Sequence, residues 1–470
     1  MSDERTLTVA EVAARLERLP MTRYLWGLVW LAGGAWFVES LSVGATGVVL
    51  PALKQIWHLT PGQTGLLAVA STIGVVMGLP PAGWLADRFG RVRLLTAGIL
   101  VYSGLTVLSA ASTGFDMLVA LRWLAGLGMG AVFPLPYSVV SEWVNRHRRT
   151  WLSGFLDAAL SVGYFVAPLL GLLLIPAFPA AWAWRVFLVA AGLPLIYALL
   201  VRRYMPESPR WLVLQGRTLE ARRILEAAEK ASWGTMRPAE SESPPVSDPP
   251  TEAIPAAVPW NELVGRTLVS TAAATGTFFM FYVVMTYTPM IFAQLGLPYA
   301  TSLGFAALVT AAAIPGKLVN GYLSEIWGRK AVFGLFMGSA AACAALFATL
   351  PALPALVASA MGMSFFGTGA FPGLKMYYAE QYPTSRRVSG SAWVEAIART
   401  LGGIVGAALM PILWHQDGLR AAFSLIAAVA VFAVLVMAVA GQETRGLTLE
   451  AIQARYRARR RRKPVPLADL

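Results

Sequence analysis

The chain has 470 residues, 57% of them hydrophobic and only 13% charged, with a formal charge of +13 and a mean hydropathy of +0.60. That is too little polar side chain to clothe a water-soluble globule, and it places the chain in a bilayer. The single cysteine, Cys343, lies in an apolar run, so an internal disulfide framework is excluded and a buried structural thiol is expected.

The first twenty residues carry both signs of charge, and the stretch from Thr8 to Leu16 reads as a short amphipathic helix rather than a cleavable signal peptide. Apolar runs of about 20 residues, enough to cross roughly 30 Å of hydrocarbon as a helix, follow at 24–50, 62–86, 94–112, 116–142, 150–175 and 182–201. A second set lies at 266–292, 300–325, 331–350, 353–379, 388–412 and 420–440, which predicts twelve transmembrane helices, six per half.

Basic clusters occupy alternate connections: Arg88, Arg91 and Arg93; Arg146, Arg148 and Arg149; Arg202, Arg203, Arg222 and Arg223; Arg329 and Lys330; Arg386 and Arg387; and the run from Arg455 to Lys463. Connections of the other parity, at 350–353 and 415–418, are short and free of Lys and Arg. The positive-inside rule therefore puts both termini in the cytoplasm, and the charge is explained by topology and anionic lipid rather than by nucleic acid. Between the halves, Leu219 to Glu226 has helical periodicity, while 237–259, rich in Pro, Ser, Ala and Glu, reads as disordered. The domain reading is thus an N-terminal segment 1–23, a six-helix bundle 24–203, a linker 204–263, a second bundle 264–441 and a basic tail 442–470.

The halves are copies of one another at a fixed offset of 238 residues. Gly83, Asp87, Gly90 and Arg91 recur as Gly321, Glu325, Gly328 and Arg329; Pro134 pairs with Pro372, Glu142 with Glu380, Arg148 and Arg149 with Arg386 and Arg387, and Asp157 with Glu395. This is an internal duplication.

Gly83-x-Leu85-Ala86-Asp87-Arg88-x-Gly90-Arg91 resembles the loop signature of the major facilitator superfamily, and Arg122-x-x-x-Gly126-x-Gly128-x-Gly130 is similar to its fourth-helix signature. Pro206 to Leu212, the two Glu-to-Arg spacings and the segment from Glu443 to Glu450 resemble the branch of sugar porters, organic ion transporters, aromatic acid:proton symporters and bacterial niacin transporters. The resemblance implies an all-α integral membrane protein with two six-helix bundles and substrate between them. It also implies that Asp87, Arg91, Glu142 and Arg149, with Glu325, Arg329, Glu380 and Arg387, form cytoplasmic ion pairs that gate the two halves; topogenic charges without a gating role are the plainer reading of the same residues.

Charges inside the spans are costly and are functional candidates. Glu39 lies about 15 residues into the first span, roughly 22 Å along it. Related symporters carry two aspartates three positions apart here; this chain has Glu39 and then Ser42. Glu39 is read as a proton-coupling carboxylate, against a hydrogen-bonded structural one. Arg399 lies in a segment that resembles one where organic anion transporters carry arginine. It is read as a bidentate anchor for an anionic substrate, with permanent pairing to Glu39 or Glu395 as the alternative. Asp157 and Glu395 either titrate with coupling or pair with Arg122, Lys375 or Arg399. Lys317 and Lys375 are expected to snorkel to the helix ends, and Arg122 reads as a packing or proton-relay residue. Trp36, Tyr137, Tyr282 and Trp393 are candidate aromatic lining for the substrate.

The expected function is proton-coupled uptake of a small organic, aromatic carboxylate such as nicotinate by alternating access, in a multi-pass protein of a bacterial inner membrane. The expected partners are a small organic anion, protons and lipids, with a monomeric carrier. A proton-coupled sugar porter or an organic cation exporter is the alternative. No enzyme chemistry, cofactor or metal site is expected: the three histidines, His58, His147 and His415, are scattered at loop ends.

Overall fold

The structure is a computed structural model that describes residues 7–145, 148–174, 177–233, 260–294, 299–349, 352–383, 385–447, 451, 452 and 454. Among these, ten helices are long and apolar enough to cross a membrane. The first is preceded by α1 (Val9–Arg18), whose start is fixed by a reciprocal capping box between Thr8 and Glu11. The first bundle comprises α2 (Arg23–Ile56), α3 (Pro61–Phe89), α4 (Arg91–Ser109), α5 (Phe115–Gly130) with α6 (Leu135–Trp143), α7 (Arg149–Leu174), and α8 (Ala180–Gly192) with α9 (Tyr197–Tyr204). Thr60 and Gln63 form a second capping box, with Pro61 at the first helical position of α3.

Two linker helices follow, α10 (Pro209–Leu214) and α11 (Thr218–Trp233), the second covering the periodic stretch read from sequence. The 237–259 stretch and the basic run 455–463 lie outside the described residues. The second bundle comprises α12 (Trp260–Gln294), α13 (Tyr299–Trp327), α14 (Arg329–Thr349), α15 (Leu353–Gly362) with α16 (Phe371–Gln381), α17 (Arg387–Ala398), and α18 (Gly406–Ala440). Helix α13 and the continuous helix from Arg387 through Gly406 stand where the eighth and eleventh spans were expected. The expected eleventh and twelfth spans meet at Gly418, whose φ of 79° breaks the helix within α18.

The two fourth spans are interrupted at the same height. Residues 131–134 turn between α5 and α6, and Pro134 starts the second piece. In the other half a π-helical turn, Met363–Gly367, and a 3-10 turn, Thr368–Ala370, precede α16 and its Pro372. A proline cannot donate to the carbonyl four residues back, so each span is weakened at the repeated proline. Tyr137 and Lys375, three residues beyond each proline, are thereby set at matching places in the two halves.

The outer faces are apolar. Trp30, Leu173, Leu199, Phe432 and Val439 are each more than half exposed, as lipid-facing side chains are. Inside the first bundle, Val12 and Leu16 of α1 join the core that contains Trp36, Tyr102 and Leu225. Arg15 Nε and Nη2 donate to the Glu229 carboxylate at 2.7 and 2.6 Å, which ties α1 to α11. That carboxylate holds the guanidinium above its ordinary pKa.

Candidate functional site

Both copies of the loop motif are folded alike. After α3 and after α13 the chain turns through a glycine, Gly90 at φ 111° and Gly328 at φ 96°, backbone that an L side chain rarely adopts. A carboxylate fills the space beneath each. Glu207 accepts the backbone N–H of Arg91 (3.0 Å) and Val92 (3.1 Å), and Glu443 accepts those of Arg329 and Lys330, both at 3.0 Å. Each thus caps the helix that begins at the motif arginine. Burial pushes the Glu207 carboxyl above its ordinary pKa, while Arg91 and the N–H groups of Ser208, Arg91 and Val92 pull the other way.

The arginines turn inward. Arg91 Nη2 lies 3.3 Å from Glu142 Oε1 and 3.5 Å from Asp87 Oδ1, and Arg329 Nη2 lies 3.2 Å from Glu380 Oε1. Three contacts then cross between the halves. Asp87 Oδ2 accepts the N–H and hydroxyl of Ser389 at the start of α17, at 3.0 and 2.5 Å. Glu325 Oε1 accepts the N–H of Thr150 and of Trp151 (3.0 Å) at the start of α7, and Arg387 Nη1 donates to Glu142 Oε1 at 3.0 Å. The helices approach closely enough for this because Gly83 and Gly321 carry no side chain: an added Cβ would stand 2.8 Å from Ser389 Cα and 2.9 Å from Gly154 Cα, respectively. Of the eight expected gate residues, seven are placed together at one end of the two bundles. The side chain of Arg149 lies outside the described residues.

Above the gate a second set of charges is buried at the interface of the halves. Asp157, on α7, has Oδ1 at 3.2 Å from Lys317 Nζ and 3.7 Å from Lys375 Nζ, while its Oδ2 accepts the Tyr137 hydroxyl at 2.6 Å. Both lysines come from the second half. Glu395 lies in the second half and stays within it: Oε1 accepts the Tyr378 hydroxyl at 2.5 Å, and Oε2 accepts Arg399 Nε and Nη2 at 3.3 and 3.2 Å. Arg399 Nη1 reaches the Tyr282 hydroxyl at 3.4 Å, and its guanidinium carbon sits 3.8 Å over Phe133 and 4.6 Å over Phe278. Glu39 is fully buried on α2, and neither of its oxygens has a hydrogen-bond partner among the described residues.

Several expectations are redirected by this geometry. Lys317 and Lys375 do not snorkel; they are 1% and 2% exposed and face Asp157. Arg399 adopts the pairing with Glu395 that stood as the alternative to anion anchoring. Trp393 is 44% exposed in line with Ile397 and Leu401, on the face of α17 opposite Glu395, so it lines the outside rather than the interface. Arg122 donates to Ser71 Oγ, Thr106 Oγ1 and the Ser42 carbonyl, tying α5 to α3, α4 and α2 through one neutral oxygen each. Sequence reasoning missed the structural work of Glu207 and Glu443, although both lie in the quoted motifs. It also missed Tyr378 and Phe133, for which spacing gave no signal. Among the described residues no group of three His, Cys, Asp or Glu side chains could hold a metal.

Residues 45–456 match the family model described as "Sugar (and other) transporter". The niacin transporter NiaP of Acinetobacter baylyi is 29% identical over 94% of this chain and 99% of its own length. The 4-hydroxybenzoate transporter PcaK of Pseudomonas putida is 27% identical over 91% and 95%. Among solved structures, the proton:xylose symporter XylE bound to 6-bromo-6-deoxy-D-glucose superposes with a TM-score of 0.77 at 18% identity, covering 92% of this chain and 99% of that one.

Proposed function

Because the chain belongs to the sugar (and other) transporter family of the major facilitator superfamily, we propose that it is a twelve-span carrier with both termini in the cytoplasm, taking up a small aromatic carboxylate together with a proton. Nicotinate is the first candidate. Relatives named for niacin and 4-hydroxybenzoate support the substrate class. The observation that carries the reading is the cluster of three acids and three cations buried between the halves, at Asp157, Glu395, Glu39, Lys317, Lys375 and Arg399. A lipid-embedded protein keeps such groups where charge has to be moved.

The cycle follows from the contacts. With Asp87, Glu325 and Arg387 all bonded across the halves, the gate end is closed, which corresponds to a carrier open toward or occluded from the outside. Opening inward requires these cross-half bonds to break while the bonds within each half persist. Glu39, without a hydrogen-bond partner among the described residues, is the acid whose proton occupancy changes at least cost to the surrounding bonds, and so it is assigned the coupling role. Asp157 and Glu395 are second candidates whose protonation would release the lysines and Arg399.

A sugar site is less well supported. Among the described residues the buried side-chain amides are Asn320 and Gln381, and both are spent on backbone, at Gly373 N–H and Tyr377 O. The test is uptake into proteoliposomes of radiolabelled nicotinate, 4-hydroxybenzoate, xylose and an organic cation, with and without an inward proton gradient. Accumulation of a carboxylate that collapses with a protonophore is expected. Accumulation of the sugar or cation instead would sink the substrate class, and gradient-independent carboxylate uptake would sink the coupling.

A further inference from the structure

We infer that the carboxylate of the substrate is received by Lys375 Nζ together with Trp36 Nε1, and that Arg399 is a fixed structural cation. This deepens the proposed function and rests on it. Asp157 does not need Lys375. Its Oδ2 takes the Tyr137 hydroxyl at 2.6 Å, and its Oδ1 takes Lys317 Nζ at 3.2 Å, an ammonium further held by the Asp157 carbonyl at 3.1 Å. Lys375 stands 3.7 Å away, beyond hydrogen-bond range, so two ammonium groups share one carboxylate and the second makes no hydrogen bond to it or to another acceptor among the described residues.

What holds Lys375 is a set of ring faces. Its ammonium lies 4.0 Å from the Trp36 ring centroid, 5.0 Å from Phe371 and 5.1 Å from Tyr137. Such contacts attract a cation but leave its N–H groups free for an acceptor. Trp36 is fully buried, and its Nε1 has no acceptor among the described residues, an unmade bond of the kind a ligand is expected to complete. A carboxylate placed between Lys375 and the indole N–H would satisfy both, with its aromatic ring against the same side chains. Glu39, one turn further along α2 from Trp36, has neither oxygen hydrogen-bonded among the described residues. The acid assigned to the proton is therefore a neighbour of the cation assigned to the anion.

Arg399 is differently placed. Nε and Nη2 are committed to Glu395, Nη1 reaches Tyr282, and both Phe133 and Phe278 are stacked against it. Moving it onto substrate would leave the buried Glu395 carboxylate with the Tyr378 hydroxyl but no bonded cation among the described residues. Moving Lys375 strands nothing, and because Lys375 belongs to the second half and Asp157 to the first, it also removes one attraction between the halves.

The test is equilibrium binding to the purified full-length protein of nicotinate and of nicotinamide, which share a ring and differ in the charged group, read by calorimetry. Wild type should prefer the acid. Lys375→Met, which keeps the stem against the rings, should lose about 10- to 100-fold in affinity for the acid while the amide changes little. Trp36→Phe should show a smaller loss for the acid, and Lys375→Arg should recover part of the preference. Should Lys375→Met fail to elute as a monodisperse species, Lys375→Arg and Trp36→Phe decide, since an unchanged acid-to-amide ratio in both overturns the inference. An unchanged ratio in Lys375→Met overturns it directly. Absence of acid binding by wild type overturns the proposed function and this inference together.

Discussion

At the end of α3, Asp87 takes a hydroxyl and an N–H from Ser389; 238 residues later Glu325 takes two backbone N–H groups from Thr150 and Trp151. Both gate carboxylates cap the first turn of a helix from the opposite half, and both motif arginines pair with a glutamate of their own half. The buried centre keeps no such correspondence. Asp157 faces two lysines from across the interface, whereas its repeat partner Glu395 is held by Arg399 and Tyr378 of its own half. Tyr137 and Lys375, also repeat partners, meet at the same carboxylate from opposite sides. On the proposed function the contrast has a mechanical reading: closing two bundles is a task each half performs alike, whereas a small molecule bound between them presents different groups to each. Duplication preserves the first and lets the second diverge.

The contrast can be broken at Asp157. Asp157→Asn leaves two buried ammonium groups without a carboxylate and should cost about 3–5 kcal/mol, the scale for an orphaned buried charge, seen as a large fall in melting temperature in detergent. Removing one ammonium as well, in Asp157→Asn/Lys317→Met, should recover much of that loss. Additive losses in the double variant would mean that the pair is not the unit described here.

Glu142 and Glu380 sharpen the comparison of the gates. Glu142 serves Arg91 within its half and Arg387 across the interface through one oxygen. Glu142→Gln should lower stability by about 2–4 kcal/mol and shift the population toward a state open at the gate end. Spin-label distances across that end should report the opening; an unchanged distance distribution would separate Glu142 from gating. Gly90→Ala and Gly328→Ala test whether the two turns are equivalent. Each should cost about 1–3 kcal/mol because the backbone there is nearly glycine-only, and each should also displace the capping glutamate. Equal losses by chemical denaturation support matched turns, and a loss at one site alone would break the symmetry. The smallest effect is expected at the N-terminal clamp. Arg15→Ala should change stability by about 1 kcal/mol or less, since that arginine is a quarter exposed, and the charge reversal Arg15→Glu/Glu229→Arg should restore it.

The spans and the cluster of loop-motif residues that bond across the halves were legible in the sequence for separate reasons. Hydrophobic length is dictated by the bilayer, so most predicted spans fall within a few residues of a helix, and a constant offset picks out Asp87 and Glu325 without any coordinates. The centre was not legible, because which cation meets which acid depends on helix rotation and on the opposite bundle. Lys375 was counted from the nearest loop along an ideal helix, which predicted an end able to reach solvent. The break before Pro372 and the cover of α2 and α7 make it an interior residue instead. Trp393 failed for the complementary reason: its position along α17 was right for the interface, but its direction around the helix was not.

The clamp between α1 and α11 also bears on how the two halves are joined. With α11 fastened to the first bundle as far as Trp233, only 26 residues, 234–259, separate it from the start of α12. That contour could reach roughly 90 Å, far more than a rocking motion between adjacent bundles requires. By residue count alone, the covalent link is long enough to set no limit on opening. On the proposed function, the halves are binding partners joined in one chain, and their gate is an intramolecular association. On that view the linker can be cut. Residues 1–233 and 260–470, expressed together, should reassemble and transport, more weakly as their concentration in the membrane falls.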